Sequence, residues 1–127
     1  MASIPRPTDA ELAILRVLWD RGPSTVRQVF EILSAERELG YTTVLKMLQI
    51  MDEKGLVCRN DSDRTHVFSA RQSQSQTQQH MLTDLLDKAF GGSAKSLVMQ
   101  ALATRRASRE ELDEIRRLLD QAEGGKP

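Results

Sequence analysis

Tyr41, Thr42, Thr43, Lys46, Gln49 and Ile50 are the residues of this chain best suited to act on a partner. On a helix, positions 42, 43, 46, 49 and 50 fall on one side. That side carries hydroxyls, an ammonium, an amide and a branched apolar group, with no acid until Glu53. Thr, Gln and Lys reach base edges and phosphates, and Ile can touch a thymine methyl, so the set suits a duplex groove. Val44, Met47, Leu48 and Met51 take the other side, at the i, i+3, i+4, i+7 spacing of a buried stripe. No comparable arrangement points to catalysis. There is no P-loop, Gly-rich dinucleotide motif or HExxH. His66 and His80 stand far apart, without a Cys or carboxylate at ligand spacing. Cys58 is the only cysteine, which excludes an intrachain disulfide; it reads as a small hydrophobe near a packed face rather than a redox sensor. The reading is a protein that is not an enzyme and needs no cofactor or metal.

The elements around this stretch must position it. Thr8 and Glu11 have capping-box spacing, and Leu12, Leu15, Leu18 and Trp19 then give a first helix its apolar stripe, stopped at Arg21-Gly22-Pro23. Ser24 reads as the cap of a second helix with Val26, Val29, Phe30 and Leu33 inward. Its first turn, Ser24, Thr25 and Arg27, presents backbone N–H groups to which a phosphate can bind; ordinary capping is the competing reading. Arg37 to Gly40 form the turn into the third helix, with Gly40 expected just past the end of the second, and Gly55 ends the third. Leu56-Val57-Cys58-Arg59 and Thr65-His66-Val67-Phe68-Ser69 flank the turn-forming Asn60-Asp61-Ser62-Asp63, which predicts a β-hairpin. Alternation sets Val57 with Arg59 and Leu56 with Cys58, and leaves open which face packs inward. Arg59 and Arg64 are placed to reach a phosphate backbone or to remain solvated. Three helices followed by a hairpin define a mainly α fold, a winged helix-turn-helix head over residues 1–72 with the third helix as recognition helix.

From Arg71 to Gln79 the chain is polar and Ser/Gln-rich, then helical stripes resume. Leu82, Leu85 and Leu86, then Leu97, Val98 and Leu102, then Leu112, Ile115 and Leu119 predict a C-terminal three-helix arm over residues 73–127, its last helix opened by a second capping box at Ser108 and Glu111. Such one-sided helices bury little alone, which predicts a homodimer; folding back on the head is the alternative. Arg105-Arg106 and Arg116-Arg117 are interleaved with acids and read as a solvated face. Lys+Arg and Asp+Glu number 18 each, so the formal net charge is zero, and a basic surface for DNA must be local. No membrane span or signal peptide is evident, and a cytoplasmic location is expected. Zero net charge and Ile50 also support a second reading, a winged-helix protein-interaction module without DNA binding. A small-molecule effector pocket would leave no mark in the sequence.

Thr8 with Glu11, Ile14-Leu15 with Leu18-Trp19, Val26-Arg27 with Val29, Tyr41-Thr42-Thr43-Val44, Lys54-Gly55-Leu56-Val57, and Arg64 before Val67-Phe68-Ser69 together resemble the penicillinase repressor family, the BlaI/MecI/CopY type of winged-helix transcriptional regulator. The resemblance covers the head and continues more loosely along the arm. It implies a dimeric repressor on palindromic operator DNA, in control of antibiotic-resistance or stress genes. In β-lactam-responsive members a membrane metallopeptidase sensor triggers cleavage of the arm at an Asn-Phe bond, whose matching place here is Gln100-Ala101. Copper-responsive members carry a C-terminal Cys cluster that is absent here, so the resemblance is to the β-lactam-resistance branch. Ile50 stands where many members have a basic residue, which implies a different operator sequence.

Overall fold

The computed structural model describes residues 6–62 and 64–124. The lead-in before Arg6, Asp63 of the expected turn and the end beyond Gly124 lie outside these residues. The chain divides into two compact units that meet at Thr83 and Asp84.

In the first unit, helix α1 spans Asp9–Arg21 and opens on the expected box: the Thr8 hydroxyl accepts the Glu11 N–H while the Glu11 carboxylate accepts the Thr8 N–H. It ends at Gly22, whose φ of 89° ordinary side chains rarely adopt and whose N–H donates to the Leu18 carbonyl at 2.9 Å. Helix α2 spans Val26–Ser34, and its cap is Thr25 rather than Ser24. The Thr25 hydroxyl accepts the Gln28 N–H and the Gln28 side chain accepts the Thr25 N–H. Helix α3, Tyr41–Lys54, carries the expected recognition stretch. Gly40 is its N-cap, with φ −81°, so the expectation that Gly40 terminates α2 is corrected: α2 already stops at Ala35. Gly55 ends α3 in the left-handed conformation, φ 86° and ψ 18°.

The hairpin is present as β2, Val57–Asn60, and β3, Val67–Ala70, and it belongs to a larger sheet than the sequence suggested. Ser24–Thr25 form a short strand β1 that pairs with β3, giving the order β1-β3-β2. The register settles the faces. Val57 lies opposite Ala70 and Arg59 opposite Phe68, and paired residues share a side of the pleat. Val57 and Phe68 are buried, so theirs is the inward face; Cys58, opposite Ser69, is half-buried on the other side.

Ile14, Leu15, Leu18, Val29, Leu33, Val44, Leu48 and Met51 meet Val57 and Phe68 in one aliphatic core. Leu12, Trp19, Phe30 and Met47, expected in buried stripes, are partly buried against it. The first turns of helix α4, Gln74–Ala89, complete this unit; Thr77 is buried, and the Trp19 indole N–H donates to the Gln72 carbonyl at 3.0 Å.

The second unit holds the end of α4 with helices α5, Ala94–Thr104, and α6, Arg109–Gly124. Ser93 caps α5, and Ser108 and Glu111 form the expected box at α6. Arg116 pairs with Asp113 at 3.0 Å along exposed helix surface, as expected of a solvated face. No residue of α5 is buried. No helix among the described residues is long and apolar enough to cross a membrane.

Candidate nucleic-acid interface

Helix α3 separates its two jobs by face. Val44, Leu48 and Met51 are fully buried, while Tyr41, Thr42, Thr43, Lys46, Gln49 and Ile50 are all exposed. A helix held by three core side chains spread over two turns cannot roll, so its polar row keeps one orientation. Ile50, 40% exposed beside Gln49 and Lys46, adds one apolar group to this polar row.

Both ends of α3 are tied to neighbouring elements. At its start, the Tyr41 ring meets Phe30 of α2 edge-on, with centroids 5.8 Å apart and planes at 76°. The Arg27 guanidinium lies over the same Tyr41 ring, 5.5 Å from the centroid. Arg27 and Tyr41 are therefore brought together, as two helices' contributions to one outward patch. At its end, Lys54 donates to both carboxylate oxygens of Glu11, at 2.9 and 3.0 Å. Glu11 is buried, and burial acts to raise its pKa. The Thr8 N–H bond and the Lys54 ammonium outweigh that effect and hold the carboxyl below its ordinary value. This tie from α1 to α3 was not visible in sequence: Glu11 was legible only as a capping residue and Lys54 only as a helix end. Its partners are 43 positions apart, and no local pattern announces them.

The first turn of α2 keeps part of its expected role. Thr25 is half-buried; its oxygen caps the helix, and its O–H remains available to donate. Arg27 is exposed. Ser24 is not available. It pairs with Phe68 on the inward face of the sheet, is 0% exposed, and spends its hydroxyl proton on the Gly22 carbonyl at 2.9 Å. Ser24 is thus removed from the phosphate-binding set.

On the wing, Arg59 and Arg64 are both exposed. Arg59 is held by Asp61 at 3.0 Å, and the same Asp61 oxygen lies 2.6 Å from His66 Nδ1. Arg64 lies in the segment between β2 and β3.

From Leu82, near the end of the first unit, through the second unit, the expected dimerisation residues fall into two groups. Leu82, Leu85, Val98, Leu102 and Leu119 are exposed, the last at 61%, while Leu86, Leu97, Leu112 and Ile115 are half-buried. Met81, Met99 and Leu118 are further exposed apolar side chains. Gln100 and Ala101 are exposed but lie inside α5, where the Gln100 carbonyl accepts the Thr104 hydroxyl at 2.7 Å. A peptidase, which takes extended backbone, must first unwind that turn.

A three-helix head whose third helix turns a polar, acid-free row outward beside a β-wing defines a winged-helix protein of the nucleic-acid-binding class. The sequence profile of the penicillinase repressor family matches residues 7–121, and the chain belongs to that family. It is 35% identical over 126 residues to the transcriptional regulator BlaI of Mycobacterium tuberculosis, an alignment covering 98% of this chain and 91% of the relative. It is 25% identical to the penicillinase repressor of Bacillus licheniformis, over 95% of this chain and 94% of that one. Among solved structures, the monomeric form of Bacillus licheniformis BlaI bound to the blaP half-operator is similar with a TM-score of 0.52 at 27% identity, covering 59% of this chain and 92% of that one.

Proposed function

We propose that this protein is a cytoplasmic, homodimeric transcriptional repressor that binds a palindromic operator through α3 in the major groove. The observation that carries the reading is the exposed face of α3, a fixed row of Thr42, Thr43, Lys46, Gln49 and Ile50. Lys46 and Gln49 have the reach and donors for base edges, the threonines read either edge or phosphate, and Ile50 meets a thymine methyl. Arg27, held over Tyr41, the Thr25 hydroxyl, and Arg59 and Arg64 on the wing fix the register on phosphates. These cations are local, which reconciles phosphate binding with a net charge of zero. The half-operator complex of the Bacillus licheniformis relative supports the same docking for this head.

The boundary proposed between function-bearing segments is a DNA-binding head over 1–72 and a dimerisation arm over 73–127. The exposed leucines of the arm support dimerisation: Leu82, Leu85, Leu102 and Leu119 gain little from solvent and are covered when a second arm packs on them. Repression is by occlusion of promoter DNA. Two heads joined by their paired arms bind as a bivalent ligand, so the affinity of the pair far exceeds that of one head. Cutting the arm at Gln100-Ala101, in a pathway begun by a membrane metallopeptidase sensor, abolishes that gain without touching the DNA face. The genes controlled are then resistance or stress genes.

Selection of bound duplexes from a random pool, at near-physiological salt, tests the reading. A palindrome with half-sites about 34 Å apart, or a multiple of that, is the expected product. No enrichment by folded protein would overturn it and leave a protein-interaction module.

A further inference from the structure

The first unit contains a cleft of about 470 Å³ that the DNA face does not use. It is lined by Leu12, Arg16 and Trp19 of α1, Met81 of α4, Arg37 of the connection between α2 and α3, and Asp9. Its size lies within the range of small-molecule sites, roughly 300–1,000 Å³. Three apolar side chains, none of them fully buried, supply a wall that remains wet when the cleft is empty. The indole N–H of Trp19 is already engaged by the Gln72 carbonyl, so the ring is fixed in place and the wall is preformed. Two arginines, Arg16 and Arg37, line the same space, against one acidic residue, Asp9. Among the described residues neither Arg16 nor Arg37 makes an ion pair, so both forks are free for an incoming anion. An arginine fork matches a carboxylate with paired hydrogen bonds, which an uncharged ligand cannot reciprocate.

We propose that this cleft is a binding site for a small organic monoanion, a flat apolar body bearing one carboxylate. The body lies against Trp19, Leu12 and Met81, and the carboxylate is held between Arg16 and Arg37. The excess of two cations over one acid suits a single negative charge and disfavours cations. Because Arg37 lies in the connection that leads into α3, occupancy joins that connection to α1. This site stands independently of the DNA-binding reading, and its test needs no DNA.

The full-length chain labelled with nitrogen-15 is titrated with 1-naphthoate and, separately, with neutral 1-naphthamide. Trp19 is the only tryptophan, so a single indole resonance reports on the wall of the cleft. The expected result is a saturable shift of that resonance with naphthoate, Kd at or below about 1 mM, and binding of the amide weaker by about tenfold or more. Arg16→Gln with Arg37→Gln weakens naphthoate about tenfold, while Arg21→Gln, on the same helix but outside the cleft, leaves it unchanged. Both cleft arginines are exposed, and a retained dispersed spectrum verifies that the double variant is folded. No saturation by about 10 mM, equal binding of acid and amide, or indifference to the double substitution would each overturn the proposal.

Discussion

Replacing Lys54 by Met removes an ammonium and keeps most of the side-chain volume, so it isolates the charge that ties α3 to α1. Glu11 then remains in place with its side chain 8% exposed and two oxygens that have lost their donors at 2.9 and 3.0 Å. Stripping the partner from a fully buried ion pair costs about 3–5 kcal/mol, and an exposed pair contributes about 0–1 kcal/mol. Lys54 is 36% exposed, so water screens the pair from one side and the value falls between these limits. The Thr8 N–H still donates to Glu11 at 2.9 Å and offsets part of the loss. A destabilisation of about 1–2 kcal/mol follows. Glu11→Gln costs about 1 kcal/mol through the weaker, uncharged bonds it leaves.

Urea denaturation followed by Trp19 fluorescence measures this, since the only tryptophan lies on α1 itself. Wild type, Lys54→Met, Glu11→Gln and the double variant form a cycle whose coupling is expected at about 1 kcal/mol near pH 7. Its pH dependence has a fixed sign. The Glu11 pKa is lowered in the folded state: burial acts to raise it, and the Thr8 N–H and Lys54 outweigh burial. A carboxylate so depressed gives stability that is complete above its unfolded pKa, about 4.3, and is lost as pH falls through the lower folded value. The coupling should therefore hold from pH 7 to pH 5 and shrink as the solution is acidified below that range. Coupling under about 0.3 kcal/mol at neutral pH, or coupling that persists undiminished once the carboxyl is protonated, would refute the reasoning.

Lys46→Ala should weaken operator binding by about 1–3 kcal/mol with an unchanged circular-dichroism spectrum; equal binding would place Lys46 outside the interface. Arg27→Ala should reduce the slope of log affinity against log salt by about 0.9, the loss of one phosphate contact. Tyr41→Leu, which removes the ring beneath that guanidinium, should reduce it in the same direction, and a slope unaltered in both variants would dismiss the phosphate contact by Arg27. Thr25→Ala should lower stability by about 0.5–2 kcal/mol through loss of the α2 cap, read by the same urea curves. Leu119→Asp puts a charge on a side chain that is 61% exposed in the single chain, so it should leave the fold intact and shift sedimentation equilibrium toward monomer. A variant that still dimerises would show that α6 packs elsewhere.

What could be read from the residues alone was what local rules encode. Thr8 with Glu11 and Ser108 with Glu111 form the expected reciprocal boxes because a capping pair is complete within four residues. The outward row of α3 was legible because 3.6-residue periodicity separates Val44, Leu48 and Met51 from Lys46 and Gln49 without reference to anything distant. Ser24 shows where such rules stop. Ser and Thr are both good caps, and adjacent candidates one residue apart cannot be ranked by capping alone. The choice falls to Thr25 because Ser24, opposite Phe68, is buried on the inward face of the sheet and spends its hydroxyl proton on the Gly22 carbonyl, and that pairing crosses more than forty positions.

The same distance dependence governs the site. Each residue that touches DNA in the proposed reading is nameable from its own helix or hairpin, whereas the parts that hold α3 in place come from elsewhere in the chain. Lys54 is fixed by Glu11, Tyr41 by Phe30 and Arg27, and the base of the wing by a strand lying before α2. The cleft is the extreme case, since Leu12, Arg37 and Met81 acquire a common meaning only when three elements have packed. A binding face can be periodic because a duplex groove is regular, and so it leaves a pattern in the residues that read it. The supports and the cleft answer to the protein's own irregular interior, and irregular contacts leave no period to find.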